Sequence, residues 1–215
     1  MTKYLTSIIM ICVPLLLFWK CCLASETGMH HRDTKIATFA GGCFWCMEAD
    51  FDQLNGVVET TSGYTGGLLP SPEYKEVTAG NTGHFEAVQI FYDPEIITYE
   101  DLLHTFWRKI DPVDEHGQFC DRGNAYRTAI FTHSEDQIRI ARESKANLYN
   151  LGIFTPPIAT FIRPITHFYP AEEYHQDFHT KNPIRYKLYR FRCGRDARLK
   201  EIWKSESLTK DHKLK

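Results

Sequence analysis

The stretch Gly41-Gly42-Cys43-Phe44-Trp45-Cys46 joins a sharp turn to two thiols and two aromatic rings. It follows an apolar run at residues 36–40 and precedes a segment of helical character at residues 47–51. Two consecutive glycines allow the backbone to turn abruptly between a strand and a helix. The pattern therefore predicts a strand, a tight turn and a helix that begins at or near Cys43.

A cysteine at that position is suited to nucleophilic chemistry. The unpaired N–H groups and the positive dipole end of a helix N-terminus favour a thiolate, so we expect a lowered pKa for Cys43. Phe44 and Trp45 are expected to form an apolar pocket beside it. The alternative is a structural core cysteine, since free cysteine often packs as a small apolar residue, but such a residue needs neither the turn nor the two rings.

The N-terminus has the pattern of a targeting segment. Lys3 precedes an apolar run at residues 4–19, and Ala24 is a small residue of the kind read by signal peptidase. We therefore expect cleavage near Ser25 and an exported protein, either periplasmic or secreted. The alternative is an uncleaved membrane anchor through residues 4–19, because Lys20 follows the apolar run directly.

Chain length and net charge limit the number of domains and the kinds of partner. The chain has 215 residues and a formal net charge of -2, which fits one domain with extensions and provides no overall positive field for nucleic acid. We predict four segments, which are a signal peptide or anchor at 1–24, a polar spacer at 25–34, a folded catalytic domain at 35–204 and a charged tail at 205–215.

Strand and helix patterns alternate along the folded part, with long loops between them. Alternating apolar residues predict strands at 57–64, 84–92, 126–131 and 159–165. Thr98 and Ser134 are candidate N-caps of two helices, a short helix is expected at 171–178, and another at 195–204. This order indicates an α+β domain, a mixed sheet with helices packed on it.

Cysteine and histidine spacing leaves two structural alternatives open. Four cysteines fall in the folded part, and an exported protein could pair them in two structural disulfides. A zinc site is the other alternative, but Cys120 and Cys193 form no second Cys-x-x-Cys. His175 and His179 stand four apart on a predicted helix without a His-Glu-x-x-His pattern. We expect them to pack and to form hydrogen bonds at the edge of the site, and we predict no metal.

Several further motifs occur in one order along residues 35–195. Together with the Gly-Cys-Phe-Trp run they resemble the A-type peptide methionine sulfoxide reductases. The resemblance implies a two-layer, ferredoxin-like α/β sandwich and the thiol-dependent reduction of methionine (S)-sulfoxide, free or in oxidised proteins, as repair of oxidative damage. The motifs are Ser62-Gly63-Tyr64-Thr65-Gly66-Gly67, Tyr74, Gly83-His84-Phe85-Glu86, Asp121-Arg122-Gly123, Tyr126-Arg127, Phe168-Tyr169-Pro170-Ala171-Glu172 and Tyr174-His175-Gln176.

The resemblance also implies roles for the polar residues. Reduction of a sulfoxide needs a proton for the oxygen, and Glu86 is the expected acid, held protonated by burial. Tyr74 and Tyr126 are the expected hydrogen-bond donors to that oxygen, and Asp121 is a second carboxylate. By residue pattern alone, Glu86 also fits a solvent-facing strand position, and Asp121 also fits a turn.

Turnover requires a second thiol. Oxygen transfer converts Cys43 to a sulfenic acid. Cys46 lies one helical turn away and is favoured as the resolving cysteine over Cys193, whose C-terminal segment would have to be delivered to the site. Cys120 is expected to be a small buried residue. No bound cofactor is expected, and a thioredoxin-like protein is the implied reductant.

Two other functional classes share parts of this pattern. A thioredoxin-like disulfide oxidoreductase also places Cys-x-x-Cys at a helix N-terminus, but two bulky aromatic residues separate the cysteines here. A non-catalytic zinc-binding or interaction module would be inactive towards sulfoxides and would purify with metal.

Overall fold

The computed structural model describes residues 33–155 and 157–212, with side chains as far as residue 204. The predicted signal or anchor at 1–24 lies outside the described residues, as does nearly all of the spacer. Within the part of the chain that the structure describes, no helix is both long enough and apolar enough to cross a membrane.

A six-stranded mixed sheet forms the centre of the domain, in the order β7-β6-β1-β3-β2-β8. Only the pair β6–β7 is parallel, and the other neighbours are antiparallel. A separate two-stranded hairpin consists of β4 and β5. The strands are β1 (Lys35–Gly41), β2 (Val57–Thr65), β3 (Phe85–Tyr92), β4 (Gly117–Gln118), β5 (Asp121–Arg122), β6 (Thr128–Thr132), β7 (Phe161–Pro164) and β8 (Phe168–Pro170).

Seven α-helices occur in the described residues, with two short 3₁₀ turns at Asn124–Tyr126 and Glu173–His175. The α+β class is therefore as predicted. The helices are α1 (Phe44–Asp52), α2 (Tyr74–Thr78), α3 (Tyr99–Arg108), α4 (Glu135–Asn150), α5 (Phe178–Lys181), α6 (Pro183–Arg192) and α7 (Arg195–His212).

The predicted caps begin the two long central helices. At α3 the Thr98 hydroxyl accepts from the Asp101 amide, and the Asp101 carboxylate accepts from the Thr98 amide in return. At α4 the Ser134 hydroxyl accepts from the Gln137 amide. Each cap satisfies backbone donors that the first helical turn leaves unpaired, so both helices begin where the sequence indicated.

Aromatic rings connect the sheet to its helices. Phe39 on β1 stacks on Phe51 of α1 at 5.4 Å and on Phe106 of α3 at 5.0 Å between ring centroids. Every residue of β3 except Gln89 and Phe91 is buried. Burial of these rings provides a rigid frame at the end of β1, where the glycine turn lies.

The C-terminal region differs from the prediction. The helix expected at 171–178 is wrong, because Asp177 adopts a left-handed backbone with φ 54° and separates a 3₁₀ turn from α5. The strand expected from Tyr126 begins two residues later, since Asn124–Tyr126 form a 3₁₀ turn. Helix α6 was not predicted, because tyrosines and arginines alternate with its apolar residues and leave no clear helical periodicity.

Candidate active site

The glycine turn places Cys43 at the start of α1. Strand β1 ends at Gly41, Gly42 has φ +83°, and Cys43 is the N-cap residue of α1. A β-carbon at Gly42 would lie 2.6 Å from Cβ of Gln118. Glycine is therefore required at this position by both conformation and space. The predicted strand, turn and helix are confirmed.

Glu86 lies beneath this turn on β3. Its side chain is 1% exposed, and its Oε2 accepts a hydrogen bond from the Phe44 amide at 3.1 Å. Burial raises the pKa of Glu86 to about 8, and the negative charge of Asp121 adds to the rise, while the Phe44 amide opposes it. At neutral pH the side chain is a protonated acid, as the family resemblance implied.

Two phenols stand beside this acid. Tyr126 ends a 3₁₀ turn, and its hydroxyl opposes the rise in the pKa of Tyr74 and of Glu86. Tyr74 begins α2, and its amide donates to Oε1 of Glu172 at 2.9 Å, which holds the start of that helix. Burial raises the pKa of both phenols, so both keep their protons and remain donors.

Asp121 lies on β5 at the edge of the site. Its Oδ2 accepts a hydrogen bond from the hydroxyl of Tyr189 on α6. Burial raises the pKa of Asp121, against the opposing effects of Tyr189 and of the positive charge on Arg195. Burial raises the pKa of Tyr189, and the nearby Cys43 adds to the rise. Sequence reasoning missed Tyr189, because nothing in the pattern of α6 distinguishes it from its neighbouring tyrosines.

The thiol of Cys43 differs from the prediction in one respect. The residue is buried, at 6% exposure. Its pKa is raised, first by burial and then by the neighbouring Cys46, with smaller contributions from the ionised forms of Glu86 and Asp121. The expected lowering by the helix N-terminus is therefore wrong for the resting site. The helix dipole is present, but desolvation of the buried thiol outweighs it.

Aromatic residues surround His175 next to the thiol. Phe44 is buried with its ring centroid 4.9 Å from that of His175, and Tyr74 lies 4.5 Å from it. The half-buried Trp45 stacks on Phe178 at 3.7 Å and donates from Nε1 to Nδ1 of His175 at 3.1 Å. The predicted packing and hydrogen-bonding role of His175 is confirmed. His179 lies on a different helix, beyond the break at Asp177, so the helical metal-ligand spacing does not exist.

The four cysteines of the described domain divide into two pairs. Cys43 and Cys46 are free and buried. Cys120 and Cys193 form a disulfide with 4.9 Å between their Cα atoms. Cys120 was expected to be a small buried residue, and that expectation is wrong, because it lies exposed in the turn between β4 and β5. Sγ of Cys193 lies 3.8 Å from Oδ2 of Asp121, so the disulfide adjoins the site.

One group of three potential metal ligands occurs in the described part of the chain, at Cys120, Asp121 and Cys193. Both of its sulfur atoms are already bonded to each other in the disulfide. A disulfide sulfur lacks the thiolate charge that binds zinc, so this group does not fit a structural zinc ion.

A buried thiol at a helix N-terminus, a protonated carboxylic acid and two neutral phenols define a thiol-dependent oxidoreductase on an α+β frame. Residues 35–207 match the family model described as peptide methionine sulfoxide reductase. The chain belongs to this family.

Similar proteins agree with that assignment. The peptide methionine sulfoxide reductase MsrA of Bacillus licheniformis is 54% identical over 169 residues, which is 79% of this chain and 93% of that protein. The MsrA of Bacillus subtilis is 51% identical over 169 residues, covering 79% and 96%. Among solved structures, reduced Mxr1 of Saccharomyces cerevisiae superimposes with a TM-score of 0.66 at 37% identity, over 70% of this chain and 86% of that one. Methionine sulfoxide reductase A of Corynebacterium diphtheriae gives 0.63 at 33% identity, over 70% and 76%.

Proposed function

We propose that this chain reduces methionine (S)-sulfoxide, free and in oxidised proteins, to methionine, with Cys43 as the nucleophile. The observation that carries the proposal is the pairing of the Cys43 thiol with Glu86, a carboxylic acid whose pKa of about 8 keeps it protonated at neutral pH. A sulfoxide is a poor electrophile until its oxygen is protonated or strongly hydrogen-bonded. The site provides that proton beside the attacking sulfur.

The substrate is held by two kinds of contact. Phe44 and Trp45 receive the sulfur-bound methyl group, since sulfur and its methyl pack well against aromatic rings. The sulfoxide oxygen lies towards Glu86, Tyr74 and Tyr126, which are neutral donors at physiological pH. Asp121 and Tyr189 complete the polar side of the site.

The first step oxidises Cys43 and reduces the substrate. Glu86 donates its proton to the sulfoxide oxygen, and the Cys43 sulfur attacks the activated sulfoxide sulfur as the thiol loses its own proton. The oxygen is transferred to Cys43, the sulfoxide S–O bond breaks, and methionine leaves. Cys43 becomes a sulfenic acid, and the thiol proton returns the acid to its starting state.

The second step uses Cys46 as the resolving thiol. Cys46 lies on the first turn of α1, one turn from Cys43, so little of the chain must be ordered for the sulfur atoms to meet. Cys193 is the alternative, but it is bonded to Cys120 in this structure. A thioredoxin-like protein then reduces the intramolecular disulfide, and the enzyme needs no bound cofactor.

We infer from the N-terminal sequence that the chain is exported after cleavage near Ser25, or anchored through residues 4–19. The family resemblance further supports a ferredoxin-like, two-layer description of the sheet and helices. Fractionation tests the first inference. A soluble species outside the cytoplasm that begins near Ser25 supports cleavage, whereas intact Met1 in the membrane fraction supports the anchor.

The activity is tested by mixing the pre-reduced protein with each methionine sulfoxide epimer in turn. We expect one equivalent or more of methionine from the S epimer and none from the R epimer. Cys43→Ser should form no methionine, because a hydroxyl has no comparable ionised form near neutral pH. Methionine formation by that variant would contradict the assignment of the nucleophile.

A further inference from the structure

Arg195, the first residue of α7, lies against the backbone of the active-site turn. It is 1% exposed. Its Nη2 lies 3.1 Å from the Gly41 carbonyl oxygen, 2.7 Å from the Lys109 carbonyl oxygen and 3.0 Å from Sδ of Met47. Gly41 and Met47 flank the segment that contains both active-site thiols. A cation from the C-terminal part of the chain is therefore fixed beside that segment.

This guanidinium has no carboxylate partner within salt-bridge distance among the residues whose side chains the structure describes. By contrast, Arg190 pairs with Asp50 and Asp196, and Arg198 pairs with Asp111. The Nε atom of Arg195 is buried without a hydrogen-bond partner. A buried cation without a directly bonded carboxylate is costly to the fold. The positive charge of Arg195 acts at longer range on the carboxyl groups of Asp121 and Asp196, whose pKa values it lowers.

The thiol of Cys46, which precedes Met47 on α1, is a further group that this charge affects. It is 2% exposed and packs against Phe178 and Tyr186, an environment that by itself disfavours a thiolate. Its pKa is nevertheless lowered, most strongly by the hydrogen bond with Cys43, and further by the positive charges of Arg195 and Arg190.

The two thiols of the motif thus lie in different electrostatic surroundings. Cys43 lies beside Asp121 and Glu86, and the ionised forms of these carboxyl groups raise its pKa. Cys46 lies near two cations, Arg195 and Arg190, as well as the carboxyl groups of Asp50 and Glu86. The titratable and charged groups around Cys46 are Cys43 and Asp50 on α1, Glu86 on β3, Tyr186, Tyr189 and Arg190 on α6, and Arg195 on α7.

We propose that Arg195 is a positioning residue for the resolving step, whose positive charge stabilises the Cys46 sulfur as that sulfur loses its proton and attacks oxidised Cys43. This proposal rests on the proposed reductase function. The new S–S bond forms as the S–O bond of the Cys43 sulfenic acid breaks. The Cys43 sulfur is reduced, the Cys46 sulfur is oxidised, and the departing hydroxide takes up the proton lost by Cys46 to give water. A preorganised charge of this kind acts without reorganisation at the moment of reaction.

The test separates the two steps in the full chain. Pre-reduced protein is mixed with methionine (S)-sulfoxide, and methionine formation is followed beside the lifetime of the Cys43 sulfenic acid, trapped with dimedone and counted by mass spectrometry. In Arg195→Met, we expect disulfide formation near pH 7 to slow at least about tenfold more than methionine formation. Its pH midpoint should move upward by about one unit or more, because the opposite charge is gone.

Two variants serve as controls. Arg195→Lys retains the charge and should recover a large part of the resolving rate and of the original midpoint. Arg198→Met removes an ion-paired arginine three residues along the same helix, and it should leave the midpoint unchanged. An Arg195→Met variant that slows equally at every pH, with an unmoved midpoint, would show a purely structural role and overturn the proposal.

A second measurement does not depend on turnover. In the Cys43→Ser background, the ultraviolet thiolate absorbance of Cys46 is titrated with Arg195 intact, in Arg195→Lys and in Arg195→Met, and Arg195→Gln replaces the last variant if it does not fold. Loss of the charge should raise the midpoint, whereas an unchanged midpoint in the uncharged variant contradicts the proposal. If the unmutated enzyme forms no methionine at all, the reductase assignment fails, while this titration still decides the effect of Arg195.

Discussion

At the residue scale, the site depends on carboxyl and thiol groups whose protonation is set by burial. Glu86 is held at a pKa of about 8 because its side chain is removed from water, and Cys43 remains a thiol for the same reason. The resting site thus holds both Glu86 and Cys43 in their neutral forms. A neutral sulfoxide must receive a proton on its oxygen, and in the resting site that proton is already present on Glu86.

The acid is tested by Glu86→Gln, which keeps the shape and removes the transferable proton. We expect the methionine burst to slow by about 10²-fold or more, in the usual range for general acid catalysis. In the unmutated enzyme, the burst should be fast below pH 8 and should fall as pH rises through about 8, because Glu86 then loses its proton. Rapid-quench measurement across pH checks both statements, and a normal burst in Glu86→Gln would place the acid elsewhere.

At the element scale, the turn between β1 and α1 aligns the nucleophile with the acid on β3. The Phe44 amide at the start of α1 is bonded to Glu86, so a shift of the helix start would separate the two groups. Gly42 is the point at which this alignment is most sensitive, because its φ of +83° and its contact with Gln118 both exclude a side chain.

Gly42→Ala should therefore lower the free energy of unfolding by more than backbone strain alone. Gly80→Ala is the matched control, since Gly80 has φ +86° and an added β-carbon there meets nothing within 4 Å. We expect a loss of about 1–2 kcal/mol at Gly80 from left-handed strain, and a further loss of about 1–3 kcal/mol at Gly42 from overpacking. Denaturant melts measure both. Equal losses in the two variants would show that the contact with Gln118 relaxes freely.

The two candidate resolving cysteines belong to different elements, α1 and the end of α6. We predict that Cys46→Ser loses turnover with a thioredoxin-type reductant, retains its first methionine equivalent and accumulates sulfenic acid on Cys43, since Cys46 needs the least chain ordering. Cys193→Ser should keep most of its turnover. Peptide mapping of the disulfides checks this ranking. A bond between Cys43 and Cys193 as the main oxidised product of the unmutated chain would reverse it, and a relay would show loss of turnover in both variants.

At the scale of the whole molecule, the fold buries several carboxyl groups that the unfolded chain would leave in water. Glu48 on α1 accepts from the Ser62 hydroxyl at 3.1 Å and is held at a pKa of about 7, chiefly by burial. The ordinary pKa of a glutamate is 4.5, so the folded state holds a proton that the unfolded state releases between these two values. Ionisation of Glu48 should therefore destabilise the fold as pH rises.

The prediction is a pH-dependent difference between Glu48→Gln and the unmutated protein. The variant should gain stability relative to the unmutated chain as pH rises from about 4.5 to about 7, and the gain should then level off. Glu59→Gln, on an exposed position of β2, is the control and should show no such trend. Chemical denaturation across this range measures the difference, and a flat difference would show that Glu48 ionises normally in the folded protein.

Part of the site was open to prediction because it depends on short-range sequence. The glycine turn, the N-terminal position of Cys43 and the caps at Thr98 and Ser134 each follow from a few adjacent residues. The burial of Glu86 was implied by the family resemblance, because the residue pattern of β3 also fits a solvent-facing glutamate. The C-terminal region was less predictable, because the left-handed Asp177 and helix α6 leave no clear periodicity.

The sequence by itself determined the α+β class, the strand–turn–helix around Cys43, the family and the set of groups available for catalysis. Only the tertiary structure decided how these groups affect one another. Cys120 and Cys193 meet across 73 residues of chain, and Tyr189 and Arg195 reach the site from C-terminal helices. The sign of the Cys43 pKa shift is the clearest case. The helix dipole is local and visible in sequence, whereas the desolvation that outweighs it arises only when the rest of the fold, including β3, packs against α1.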